Sequence, residues 1–268
     1  VSPGGDYVMV TQIQRPFSYL VPYYRFASQT DVLTKSGKPV KTVNQVPLIE
    51  DLPKGFMAVR TGKRSLQWRS DQVATLVWVE ALDGGDPENE VDFRDEVFQQ
   101  TAPFKKPAES LFKTELRFYQ LTWGDDSRAL FFDYWWNSRQ INTSLFNPSD
   151  LSQDPKLINS RSYQDVYADP GRFMLVKNKF GEDVLRINDN TAFLLGDGFS
   201  EAGQFPFYDE LDLDTFKTKR IYQSDFTDKL ETLVDVISDN GQKLLVRIEA
   251  PNEFPNYYIR DLNGDELN

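Results

Sequence analysis

The chain has 268 residues, 40% of them hydrophobic and 14% aromatic, and a formal net charge of −11. It contains no cysteine and no histidine, which excludes disulfides, cysteine zinc sites, the HExxH zinc motif and a Ser–His–Asp triad. The acidic balance and the lack of a Lys/Arg block argue against a nucleic-acid partner, and no run approaches the ~18 apolar residues of a membrane-spanning helix.

Along the chain, a polar turn followed by a short apolar run recurs five times. Gly4-Gly5-Asp6 precedes Tyr7–Val10, and Ser70-Asp71-Gln72 comes shortly before Leu76–Val79. Asp125-Asp126-Ser127 precedes Ala129–Phe132, Asn188-Asp189-Asn190 precedes Ala192–Leu195, and Asp239-Asn240-Gly241 precedes Leu244–Val246. The runs start 69, 53, 63 and 52 residues apart. Between them stand extended segments that end in a tight turn: Val32–Gly37, Leu145–Ser149, Leu211–Thr215 and Ile259–Gly264. Short strands follow at Val40–Val43 and Thr218–Tyr222.

Each unit thus reads as an inner strand, a central apolar strand, a long loop, a third strand, a tight turn and an outer strand. No stretch carries a long 3.6-residue period. Aromatic and β-branched residues suit pleated, half-buried surfaces. The expected fold is all-β, a β-propeller of four-stranded blades. A β-sandwich also yields short strands and frequent turns, but the recurrence of the turn motif at one place in each unit favours the propeller. The excess over a usual repeat falls in loops such as Arg15 to Phe26 and Asp83 to Asp95.

Val1 begins at the turn before a central strand, and Asn268 follows a third strand. The expectation is about four and a half blades over residues 1–268, a partial propeller domain with the inner strand of its first unit and the outer strand of its last unit missing. Such a piece would continue on both sides in a longer protein, or strands from its two ends would share a blade. The opening Val1-Ser2-Pro3-Gly4-Gly5 has neither Met nor a signal sequence and reads as trimmed. Composition alone does not assign a compartment; for a bacterial chain the expectation is periplasmic or secreted.

Several long segments carry a family resemblance. They are Arg15–Phe26, Gly55–Gly62, Ser65–Arg69, Trp78–Pro87, Lys113–Phe118, Thr122–Asp126 and Glu249–Leu262. Together they resemble the propeller of the glutamyl endopeptidase branch of the prolyl oligopeptidase family of serine peptidases. The resemblance implies a C-terminal α/β-hydrolase domain, absent from this chain, that supplies Ser, Asp and His. It implies a peptide substrate and cleavage after Glu. The chain itself would gate access without performing chemistry, and no cofactor or metal is expected. The alternative is a stand-alone propeller that binds a protein partner. A propeller polysaccharide lyase is a third class, disfavoured by the absence of histidine.

Candidate residues follow from this frame. Gly198-Phe199-Ser200-Glu201-Ala202 resembles a nucleophile elbow, but Ala202 occupies the position that needs glycine, so Ser200 reads as a loop residue. An acidic side chain at the cleavage position calls for a cation, and the planar fork of arginine suits a carboxylate. The candidate substrate-binding residues are Arg15 and Arg25, in an aromatic-rich loop, then Arg60 and Arg64; packing of that loop is the competing reading. Asp83, Asp86, Glu88, Glu90 and Asp92 crowd one loop without EF-hand spacing, and read as a solvated acidic loop rather than a calcium site. Trp68, Trp78, Trp123, Trp135 and Trp136 read as packing between blades rather than a sugar platform.

Overall fold

We describe residues 1–268 in a computed structural model, except Asp239 and Asp265. Asp239, the first residue of the last expected turn, therefore lies outside the described residues. Among the described residues the only helical segment is a single 3-10 turn, Tyr23–Arg25; the rest is strands and connections. The chain forms two compact units, residues 1–157 with 177–184, and residues 158–176 with 185–268.

The first unit is built from consecutive antiparallel meanders. β1 (Tyr7–Ile13), β2 (Ser28–Thr34) and β3 (Pro39–Val46) form a three-stranded sheet. β4 (Arg64–Trp68), β5 (Thr75–Ala81), β6 (Asp95–Thr101) and β7 (Glu109–Thr114) form the next, in chain order. β8 (Arg117–Asp125), β9 (Arg128–Trp135) and β10 (Gln140–Phe146) follow in the same manner.

The apolar runs read from the sequence are β1 in the first sheet and the second strand in the two that follow, and β5 shows why. Its residues Thr75 to Val79 are all buried, so both faces of the strand meet protein. Leu76 and Trp78 pack with Val32 and Val43 of the first sheet. Val77 and Val79 point the other way, into a core with Phe118, Ala129 and Phe131 of the third sheet. Strand alternation therefore makes one strand the filling of two cores. Phe112 stacks on Phe131 with centroids 4.1 Å apart, at the centre of the second core. Each fully buried side chain of this size contributes roughly 1.5–3 kcal/mol.

One excursion completes the first unit from further along the chain. In Lys177–Val184, Asn178 Nδ2 donates to the carbonyl of Ser70 at 2.7 Å, and Val184 is buried in the core of Phe112 and Phe131.

The second unit repeats the design. Arg172–Phe173, Thr191–Gly196, Phe207–Asp212 and Thr218–Gln223 pair in that order, and Ile187–Asn188 adds to the Thr191–Gly196 strand. Leu230–Val236, Lys243–Ala250, Glu253–Asp261 and Glu266–Leu267 form the last sheet. Phe193, Leu195 and Tyr208 of the former share a core with Leu233, Val246 and Ile248 of the latter.

Four-stranded antiparallel meanders in sequence order, packed face to face on their neighbours within each unit, are blades of a β-propeller. The first sheet has three strands. The last sheet departs from expectation: its outer strand is present as Glu266–Leu267, paired to Arg260 and Asp261. A two-residue strand behind the turn at Leu262 offers no periodic signal to a sequence reading.

Candidate functional site: a cleft with an aromatic lip

The long connections of the first unit gather at one end of its sheets. The β1–β2 connection (14–27), the β3–β4 connection (47–63) and the β5–β6 connection (82–94) touch one another there. Ile49 N–H donates to Arg25 O at 2.9 Å, and Val59 N–H donates to Gly85 O at 3.0 Å. Gly85 has φ +80°, and a Cβ there would lie 2.0 Å from Val59 O, so glycine is required for this approach. Between these segments lies a cleft of about 500 Å³, lined by the end of β3, residues 47–53, Val59–Gly62 and Gly84.

Arg60 is the half-buried cation of this cleft. Its Nη1 donates to Thr61 O at 3.1 Å and its Nη2 to Lys63 O, which fixes the fork. Burial, and next the charge of Arg64, hold its pKa below the usual arginine range. Among the described residues no carboxylate pairs with it, although Glu50 and Asp51 line the same cleft. Burial, then Lys41, also pulls the Lys63 pKa down; Glu80 opposes. Lys63 Nζ donates to Val43 O at 3.1 Å and sits 4.2 Å from the Trp78 ring centroid.

Arg64 belongs to a different, buried system. β4 is bulged between Arg64 and Gln67, and Ser65 adopts φ 54°, a left-handed conformation rare for a residue with a side chain. Arg64 Nη2 forms an ion pair with Asp95, while its Nε has no hydrogen-bond partner among the described residues. Asp95 also takes Arg117 Nη1 at 2.9 Å and the Phe118 N–H at 2.8 Å. Arg117 then pairs with Asp83, which Arg94 Nη1 joins at 3.0 Å. Burial opposes the charged forms, but the pairing wins: the Asp83 pKa lies below its ordinary value and that of Arg117 above.

The aromatic loop forms a lip beside the cleft. Gln14 N–H donates to Ala27 O at 2.6 Å across its base, and Ser18 Oγ donates to Glu50 Oε1 at 2.6 Å. The rings of Phe17 and Phe26 lie 5.6 Å apart. Arg15 is exposed, its guanidinium 5.9 Å from the Phe17 ring centroid; Arg25 is half-buried on the 3-10 turn. The structure thus brings Arg60 and Arg64 within electrostatic reach and places Arg25 against the cleft wall through its backbone.

The other sequence candidates resolve differently. Asp83 is not a solvated loop residue: it is buried between Arg117 and Arg94, because the loop folds back on β8. Glu88, Glu90 and Asp92 are exposed, and among the described residues no three His, Cys, Asp or Glu side chains converge as metal ligands. Ser200 sits in a short hairpin, its Oγ donating to Gly203 O at 2.9 Å. Trp68, Trp78 and Trp123 pack in or against the cores, and Trp135 lies under Arg94. Trp136 is the exception, partly exposed with Phe56 4.8 Å away. The buried Asp95–Arg117 system escaped the sequence reading. Its signal is an arginine opening a β8 strand otherwise rich in apolar residues, a placement that demands acidic partners.

The meanders define a propeller domain, and this chain carries no histidine from which to build a hydrolytic triad. It is homologous to a segment of the glutamyl endopeptidase-type proteins. It is 37% identical over 274 residues to a probable glutamyl endopeptidase, chloroplastic, of Oryza sativa subsp. japonica, covering 97% of this chain and 29% of that protein. It is 35% identical over 278 residues to the Arabidopsis thaliana protein of the same description, again covering 97% and 29%. The chain therefore spans less than a third of the length of these relatives. No family model matches it. Solved structures of similar course include the β-propeller domain of the trilobed protease from Pyrococcus furiosus, with TM-score 0.49, 11% identity, and coverage of 98% of this chain and 67% of that one. An oligogalacturonate lyase in complex with manganese gives TM-score 0.45, 13% identity, and coverage of 95% and 61%. At such scores these structures carry no argument, and the fold assignment stands on the stacked meanders.

Proposed function

We propose that this chain is the non-catalytic propeller domain of a serine endopeptidase. It restricts access to a catalytic α/β-hydrolase domain outside residues 1–268, and its cleft helps to recognise peptides with Glu at the cleavage position. The observation that carries this reading is homology along 97% of the chain to a 29% stretch of proteins described as probable glutamyl endopeptidases. Arg60 supports the finer part. A half-buried guanidinium with no paired carboxylate among the described residues gains from an incoming one, through charge-assisted, two-pronged hydrogen bonds. Arg64 is committed to Asp95 and acts behind Arg60; Arg15 and Arg25 would meet the peptide earlier, on the lip.

The test uses the longer protein that contains this domain, on matched peptides with Glu, Gln, Pro or Ala before the scissile bond. Cleavage after Glu is expected, and Arg60→Gln is expected to lower the Glu-to-Gln ratio of kcat/KM by about tenfold or more. An unchanged ratio removes Arg60 from specificity. The exposed aromatic lip also suits a second reading, a stand-alone module that binds a protein. Absence of cleavage of every peptide by the longer protein would select it.

A further inference from the structure

The lip is the place where apolar exposure and positive charge coincide. Tyr19 and Leu20 project almost wholly into solvent, Leu20 at 82% exposure, and Tyr23 and Tyr24 follow on the 3-10 turn. Exposed apolar clusters of this kind mark interaction sites. The loop is nevertheless ordered by its own hydrogen bonds: Leu20 N–H to Ser18 Oγ at 3.0 Å, Arg25 N–H to Pro22 O at 2.9 Å and Phe26 N–H to Tyr23 O at 3.0 Å. A surface held in shape before binding loses little entropy on binding, and tyrosine offers large contact area on few rotatable bonds. Residues 14–27 hold two arginines and no Asp or Glu, in a chain whose net charge is −11. Charge complementarity therefore selects an acidic occupant, and disfavours a second copy docking loop to loop.

The geometry points to the lip as a docking surface for an extended polypeptide segment that carries acidic residues between apolar ones, laid across Tyr19, Leu20 and Tyr23 towards the cleft of Arg60. This deepens the proposed function and rests on it: the segment is the part of the substrate remote from the scissile bond.

The chain has no cysteine, so Tyr19→Cys gives a single attachment point for an environment-sensitive fluorophore. The probes are a short peptide alternating Glu with Leu, its Lys-for-Glu counterpart and its Ser-for-Leu counterpart. The expected result is a saturable fluorescence change with the Glu/Leu peptide, weakened by salt, and none with the other two. In a label-free assay such as calorimetry, Tyr19→Ser with Leu20→Ser is expected to weaken the Glu/Leu peptide about tenfold. Arg15→Gln is expected to reduce the salt dependence. The thermal transition should not move, because these side chains are exposed. Equal binding of the Lys peptide, or indifference to the Tyr19/Leu20 change, overturns the proposal. So does sedimentation as a dimer that the same change abolishes, or a label in the longer protein already shielded without peptide. Binding needs no catalysis, so the two readings fail separately. A longer protein that cleaves nothing sinks the peptidase reading and leaves the surface standing; normal cleavage with an inert lip does the reverse.

Discussion

Arg117 and Asp83 meet as a two-pronged pair: Nη1 donates to Oδ1 at 3.2 Å and Nη2 to Oδ2 at 2.6 Å. Asp83 comes from the β5–β6 connection and Arg117 from β8, so the pair ties the loop at the cleft to the next sheet. Both side chains are buried. Removing the arginine leaves Asp83 and Asp95 partly uncompensated. Arg117→Met is expected to cost about 3–5 kcal/mol in chemical denaturation, and Arg117→Lys most of that, because an ammonium lacks the fork. Replacing Asp83 by Asn together with Arg117 by Met should cost less than the sum of the single changes.

The same pair predicts an acid limb. The Asp83 pKa is lowered from 3.8, so its stabilising contribution is complete above that value and is lost as pH falls through the lower folded value. The stability gap between wild type and Asp83→Asn is expected to be widest near neutrality and to close below pH 3.8. Tryptophan fluorescence during acid titration measures it; a pH-independent gap would refute the assignment.

Asp133 should behave with the opposite sign. Burial on β9 pushes its pKa from 3.8 up to about 6, against the Leu116 N–H and the Asn142 side chain, which lower it; the charge of Glu115 adds to the rise. Its protonated form is favoured by folding. Stability from this group is full below 3.8 and is lost as pH rises through about 6. Asp133→Asn keeps an acceptor for Leu116 and is expected to stabilise the protein above pH 6, by at most about 3 kcal/mol, with no gain at pH 3.5 or below. Denaturation midpoints across that range decide the matter.

Gly85 predicts a link between stability and the cleft. A Cβ would collide with the Val59 carbonyl, and φ +80° adds backbone strain. Gly85→Ala is expected to cost about 2 kcal/mol or more and to speed hydrogen exchange of the Val59 amide. Unchanged exchange would mean that this contact does not hold the cleft wall.

The blades were legible because burial writes them into composition. Leu76–Val79 and Leu244–Val246 must be apolar to fill cores, and Gly37 must follow β2 because its φ of 79° is cheap only for glycine. The site was less legible. Arginine content named Arg60 and Arg64 together, but only the bulge at Ser65 separates their roles, by turning Arg64 into the interior towards Asp95. A one-residue shift of register leaves no mark on hydrophobic patterning. Asp83 looked solvated for a related reason: of its two arginine partners, Arg117 stands 34 residues away, beyond the reach of any local pattern.

The return of Lys177–Val184 to the first unit has a consequence for synthesis. A ribosome releases residues 1–157 first, yet the core around Phe112 and Phe131 remains without Val184 until the intervening stretch of the second unit has also emerged. The nascent first unit is thus a holding state with an open seam, and it closes only when the chain has begun to supply its neighbour. A message truncated after Leu157 would release a chain with that seam still open, a natural target for chaperones and proteases.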